Sequence, residues 1–182
     1  MANRDEGAAF PRDVKGRPEA LVTGATGFLG GRLAAALVAR GYRVRALSRR
    51  TSGLDALERL GVEVFRGDLA DVPSLVRAAS GVPLVFHAAG RVSDWGPREE
   101  FLRANAEGTR NAVTACQEAG VGRLVHLSSL TVLGLPRDGR VVSEETPTAS
   151  PAGGDHYTES KLAGERSVRE AHGRRGLPTT GV

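Results

Sequence analysis

The sequence predicts an α/β domain: a doubly wound parallel sheet with helices on both faces. Three observations predict it. Short apolar runs alternate with helical patterns along most of the chain, which is the rhythm of βαβ units. A glycine-rich turn separates the first apolar run from the first helical pattern. The length, 182 residues, suits one domain with a sizeable core and is short for two.

Taken in order, residues 1–18 are polar and charged and read as a flexible tail, which leaves 19–182 as the expected domain. Ala20–Thr23 is the first apolar run and the first strand. Phe28–Arg40 reads as a helix, because Leu29, Leu33 and Leu37 recur every four residues among alanines. Arg43–Leu47 alternates arginine with apolar residues and reads as the second strand. Leu54–Leu60 and Val72–Ala79 are short helical patterns on either side of a third strand, Val62–Arg66. Leu84–His87 is the fourth strand, Glu99–Ala119 one long helix and Arg123–Leu127 the fifth strand. The stretch from Leu130 to Gly154 is rich in Pro, Gly, Ser and Thr, and its length predicts a functional or mobile loop. Asp155–His172 is the last helix, and Leu177–Val182 begins a sixth strand.

The formal charge of +4 raises the possibility of a nucleic-acid partner. The arginines are scattered, however, with adjacent pairs only at Arg49–Arg50 and Arg174–Arg175, and aromatic residues make up 4%. No basic stripe interleaved with aromatics exists, so no nucleic-acid binding is expected. Cys116 is the single cysteine; it falls in an apolar helical pattern and reads as a buried structural thiol. The residues described by the tail carry no apolar signal segment, and no run is long enough for a membrane span. The expectation is a cytoplasmic protein with no bound metal.

Residues 23–30 read TGATGFLG. Gly24, Gly27 and Gly30 fall at the end of the first strand and the mouth of the first helix. In that setting one glycine makes a tight turn, the next admits a pyrophosphate to the backbone, and the last lets helix and strand pack closely. The helix N-terminus adds unpaired N–H groups and partial positive charge. The pattern therefore points to a bound dinucleotide. At the end of the second strand, where an acidic residue would hold a ribose 2′-OH, the chain has Ser48-Arg49-Arg50. Arginine suits a 2′-phosphate, so NADP(H) is favoured over NAD(H); the alternative is a pair of solvated surface arginines.

Tyr157 and Lys161 are four apart on the last helix, hence on one face and one turn apart. An ammonium beside a phenol favours the phenolate, and such a tyrosine exchanges protons with an alcohol or carbonyl near neutral pH. Ser128 and Ser129 close the fifth strand, at the edge of the sheet where ligands bind. Either hydroxyl could reach the same substrate oxygen.

Together these elements resemble the extended short-chain dehydrogenases, the NAD-dependent epimerase/dehydratase family, over Ala20–Val182. TGATGFLG is similar to the family's TGxxGxxG. Gly67-Asp68-Leu69 resembles its GDL, whose Asp contacts the adenine. His87-Ala88-Ala89-Gly90 resembles the segment beside the cofactor, and Asn105-Ala106-Glu107-Gly108-Thr109 its NxxGT. Leu127-Ser128-Ser129 through Gly134 resembles SSxxVYG, with Leu133 in place of the usual Tyr; counted back from Gly134, Ser129 is the catalytic hydroxyl. Tyr157 to Lys161 resembles YxxxK.

The resemblance implies a Rossmann fold with Ser129, Tyr157 and Lys161 as catalytic residues. It implies cofactor contacts from Gly24, Thr26, Gly27, Phe28, Leu29, Gly30, Arg49, Asp68, Leu69, Ala88, Ala89, Gly90, Asn105, Tyr157 and Lys161. His87 is expected to pack at its strand end, and Asn105 to position rather than react. The segment Arg91 to Gly96, followed by Glu99–Phe101, is most similar to the 3β-hydroxysteroid dehydrogenase and dihydroflavonol reductase branch. This implies hydride transfer with a secondary alcohol or ketone as the small-molecule substrate, of hydroxysteroid, flavonol or β-keto acid type. The alternatives are a sugar-nucleotide epimerase or dehydratase, and a non-catalytic NAD(P)-binding module. Trp95 is either a wall for an apolar substrate or a loop anchor. Family members continue beyond the sixth strand into a portion that forms most of the substrate pocket, so a truncated form is expected. By analogy a homodimer could form through the long helices.

Overall fold

The computed structural model describes residues 16–134, 141–143, 145, 146, 148 and 155–182, with the side chains of 173–175 left aside. Most of the expected tail, the greater part of the loop before Asp155, and the Arg174–Arg175 side chains lie outside the described residues.

The element order is β1 (Glu19–Thr23), α1 (Phe28–Ala39), β2 (Arg43–Ser48), α2 (Asp55–Arg59), β3 (Glu63–Arg66), α3 (Val72–Ala79), β4 (Leu84–His87), α4 (Arg98–Phe101), a π-helical turn (Leu102–Glu107), α5 (Gly108–Glu118), β5 (Arg123–His126), a 3₁₀ turn (Leu130–Leu133), α6 (His156–Arg175) and β6 (Thr179–Gly181). All six strands are parallel, in the order β3-β2-β1-β4-β5-β6. This is the Rossmann order, with its reversal between β1 and β4. The expected doubly wound sheet is therefore present, sixth strand included.

The core explains the strand sequences. In β1, Leu21 packs on the face covered by α3, α5 and α6, with Leu75, Val113 and Val168, while Ala20 and Val22 pack on the other with Leu37 and Val44. Both faces of β1 are buried, so EALVT reads as a continuous run rather than an alternation. Burying its first residue, Glu19, requires a partner: Arg45 Nε donates to it at 2.9 Å, and the same guanidinium caps α3 through the carbonyls of Ala78 and Ser80.

Two helices begin on aspartates. Asp71 accepts from Ser74 N at the start of α3, and Asp155 from Thr158 N at the start of α6. The helix expected over Glu99–Ala119 is continuous but not uniform. It starts at Arg98, loosens into a π turn around Asn105 and resumes at Gly108. Such turns commonly mark a place where a side chain is re-aimed, and here Asn105 is the buried residue of the turn.

Candidate functional site

A cleft of about 720 Å³ opens at the carboxyl ends of the strands, over the β1–β4 reversal. Its floor is the glycine turn. Gly24 has φ +73°, and a Cβ there would stand 2.7 Å from the Ala89 backbone. A Cβ on Gly30 would stand 2.2 Å from the Gly24 carbonyl oxygen. The turn thus lets three backbones meet where any side chain would separate them. Gly27 starts α1 with no side-chain cap and no acidic residue in the first turn. The first-turn amides therefore face the cleft mouth with no partner in the helix. A pyrophosphate fits this cradle in shape and in charge.

Of the residues expected to hold a dinucleotide, Gly24, Thr26, Gly27, Arg49, Asp68, Leu69, Ala88, Ala89 and Gly90 line the cleft. The side chains of Phe28 and Leu29 do not; Phe28 is 80% exposed under the Arg32 guanidinium. Those two residues can offer their backbone amides only. Gly30 is buried against Gly24, and Asn105, Tyr157 and Lys161 stand outside the cleft lining.

The β2 end bends because Ser48 Oγ accepts from Arg50 N at 3.0 Å, which sets Arg49 and Arg50 at the cleft edge. Arg49 Nε lies 3.8 Å from Asp68. Asp68 also accepts from Ala70 N, so it shapes its own loop, while capping of α3 falls to Asp71.

Sequence reasoning missed several cleft residues: Thr23, Arg91, Glu100 and Arg103 also line it. Thr23 bonds His87 Nδ1 at 2.8 Å and accepts from Ala89 N at 3.3 Å, fixing the β4 exit against β1. Its place as the last residue of the first strand was the available signal. Arg91 joins Glu100 at 3.1 Å and lies over the Phe101 ring; nothing in the local sequence announces that long-range contact. Trp95 is held by its backbone, but its ring is 83% exposed and is not packed on the domain.

His87 packs as expected. Thr23 and Thr109 take its two ring nitrogens, and burial first, then the charges of His126 and Lys161, pull it down to about 3. It is neutral at ordinary pH. His126 stacks on it with ring centroids 5.5 Å apart.

Asn105 joins three segments. Its Oδ1 accepts from Arg91 N at 2.7 Å, and its Nδ2 donates to Arg91 O and to Ser160 Oγ at 3.0 and 2.9 Å. Ser160 in turn donates to the Tyr157 carbonyl. The loop after β4 is thereby tied to α6. On α6, Lys161 is 7% exposed and Nζ donates to Leu127 O at 2.5 Å. Burial pulls its ammonium down to about 8, against the opposing influence of Glu165. The two serines separate in role. Ser128 donates to Glu165 at 2.5 Å, whereas Ser129 Oγ bonds the Thr131 hydroxyl and caps the 3₁₀ turn. Among the described residues no group of His, Cys, Asp and Glu could hold a metal, and no helix is long and apolar enough to cross a membrane.

Comparison with known proteins agrees with this arrangement. The chain is 43% identical over 150 residues to sterol demethylase protein B of Methylococcus capsulatus, covering 81% of this chain and 45% of that protein. It is 34% identical over 169 residues to a 3-beta-hydroxysteroid dehydrogenase of Mycolicibacterium neoaurum, covering 89% and 45%. A solved short-chain dehydrogenase/reductase superfamily protein from Agrobacterium tumefaciens with bound NAD superposes with a TM-score of 0.76 at 34% identity, over 90% of this chain and 48% of that one. The chain thus spans less than half the length of these relatives. The family model for the NAD dependent epimerase/dehydratase family matches residues 20–182, and the chain belongs to that family.

Proposed function

We propose that this chain carries the dinucleotide-binding and proton-transfer parts of an oxidoreductase acting on a secondary alcohol or ketone, with NADP(H) preferred. The observation that carries the reading is the seat of Lys161. It is a buried lysine one turn from Tyr157, bonded to the carbonyl that immediately precedes the Ser128–Ser129 pair.

The chain's own residues divide the work. The backbone of the Gly24–Gly30 turn and the α1 N-terminus bind the pyrophosphate, and Asp68 and Leu69 take the adenine. Arg49 and Arg50 receive a 2′-phosphate. Bound there, the dinucleotide supplies or accepts the hydride. Tyr157 gives or takes the proton at the substrate oxygen. Lys161 has three donors; one holds Leu127, and the others are available to the nicotinamide ribose. Ser129 orients the substrate oxygen. The name of the hydroxysteroid dehydrogenase relative supports an alcohol–ketone pair as the substrate class.

Titrating NADPH and NADH against the protein by nucleotide fluorescence tests the cofactor half. NADPH should bind more tightly; binding of neither at roughly millimolar concentration, far weaker than any working site, sinks the reading. Tyr157→Phe tests the chemical half, with a 3β-hydroxysteroid and a β-keto ester as probes. Turnover should fall by about 10²–10⁴ with NADPH affinity kept.

A further inference from the structure

The helix face that carries Tyr157 and Lys161 continues to Glu165 and Arg169, each four residues further on. Glu165 is a buried carboxylate, 9% exposed. It accepts the Ser128 hydroxyl at 2.5 Å on one oxygen and two N–H groups of Arg169, at 3.0 and 2.6 Å, on the other. Ser128 sits between Leu127, whose carbonyl takes Lys161 Nζ, and Ser129. The β5 exit is therefore fastened to α6 at two successive residues, once by a cation and once by an anion.

We infer that Glu165 is a positioning residue: its carboxylate pins Ser128, and so Ser129, against the helix of Tyr157 and Lys161. This rests on the proposed roles of those three residues. A buried carboxylate without partners is costly, and Glu165 is satisfied on both oxygens by groups that have no part in the proton transfer. Arg169 holds the carboxylate in place; Ser128 transmits that position to the strand end. Among the described residues, Glu165 favours the Lys161 ammonium against burial, while His87 and His126 are disfavoured by its charge and are neutral at ordinary pH; the Arg169 guanidinium shares the Glu165 carboxylate.

The sequence makes the test clean, because Lys15 and Lys161 are the only lysines. The lysine side-chain carbon-13 signals of the labelled chain, titrated with pH, report Lys161 directly, with Lys161→Arg to assign it. Glu165→Gln should move the Lys161 midpoint down by about one unit, the scale of losing one nearby opposite charge. Glu165→Asp keeps the charge and should restore most of it. Hydrogen–deuterium exchange reads the pinning. Amides of 127–134 should exchange about tenfold faster in Glu165→Gln and in Ser128→Ala, the scale of one bond to a charged group, while the α6 amides hold. Unchanged exchange at 127–134 overturns the inference, whatever the midpoint does. Should Glu165→Gln not fold, Ser128→Ala decides by exchange alone, since it leaves the carboxylate and Arg169 in place. All these readouts need neither cofactor nor turnover, so a failed Tyr157→Phe result would remove the catalytic reading and leave this brace standing, and the reverse.

Discussion

Lys161 Nζ donates to the Leu127 carbonyl at 2.5 Å from a position that is 7% exposed. A cation is thus kept in a place that disfavours it, and burial pulls its ammonium from 10.5 to about 8. In the unfolded chain the ordinary value returns, so between these two values the unfolded chain binds more protons. Stability must then rise with pH through that window and be lower beneath it. From pH 8 to 9 the gain is roughly 1 kcal/mol. Above pH 9 Cys116 works the other way, because burial pushes its thiol up to about 12 and the unfolded chain ionises first. Urea unfolding at pH 8 and 9 checks this: Lys161→Met should abolish the rise, and a rise that survives in the variant would assign it elsewhere.

The His87–His126 stack sets the acid limit. Burial is the first cause of both depressions, each to about 3 from 6.5. As pH falls below 6.5 the unfolded chain takes up two protons that the folded chain refuses. Stability is full above that value and declines until about pH 3, at up to roughly 1.4 kcal/mol per unit for each ring. Neither ring nitrogen of His126 has a hydrogen-bond partner among the described residues. His126→Phe should therefore cost nothing at pH 7, or add about 1 kcal/mol, and should halve the slope between pH 6 and 4. Denaturant midpoints across that range measure it; an unchanged slope would place the acid sensitivity in other groups.

Gly24→Ala should damage both fold and binding. The residue has φ +73°, and its new methyl would meet the Ala89 and Ala88 backbone at 2.7–2.9 Å. Backbone cannot step aside as a flexible side chain can, so the strand ends must part. The expected cost is above about 2 kcal/mol, with NADPH affinity lost well before the midpoint of unfolding. Thermal melts with and without NADPH would show it, and a variant that NADPH still stabilises normally would contradict the cradle.

Cofactor choice should turn on the β2 end. Arg49 is largely exposed and is shared with Asp68 at 3.8 Å, while Arg50 has no acidic partner among the described residues. Replacing both arginines with Gln should weaken NADPH by about tenfold or more, the worth of charge-assisted phosphate bonds, and leave NADH within about twofold. Competitive titration gives the ratio directly. Equal losses for the two nucleotides would mean that the arginines attract charge in general and do not read the 2′-phosphate.

What was legible in the sequence was whatever the chain encodes within one or two elements. EALVT followed by TGATGFLG carries strand, turn and helix start in order, so the sheet and its cleft could be anticipated. The i, i+4 spacing of Tyr157 and Lys161 likewise survives as a shared face of α6. What escaped depends on residues far apart. Whether Ser128 or Ser129 is engaged is decided by Glu165, 37 positions away from Ser128. Whether Asp68 caps α3 is decided by Asp71, a competing aspartate three residues on. The π turn could not be anticipated from helical periodicity, since the apolar spacing of Glu99–Ala119 suits a regular helix and only the pull of Arg91 and Ser160 on Asn105 marks the turn.

That side chain makes the last prediction. Asn105 is 2% exposed and makes three bonds, to Arg91 N, Arg91 O and Ser160 Oγ. Ala at this position would leave both Arg91 backbone groups without their partner in a half-buried place, and each such orphan costs up to about 1–3 kcal/mol. The total should be about 2–4 kcal/mol, and the loop from Ala88 to Arg91, one wall of the cleft, should loosen. Asn105→Asp keeps the acceptor for Arg91 N and loses both donations, so it should fall between Ala and the native residue. Nucleotide affinity should follow the same ranking, because the clamp and the cleft wall are one structure. If Asn105→Ala melts like the native chain, the three bonds are incidental to it; if it melts early but binds NADPH unchanged, the clamp serves α6 and not the cleft.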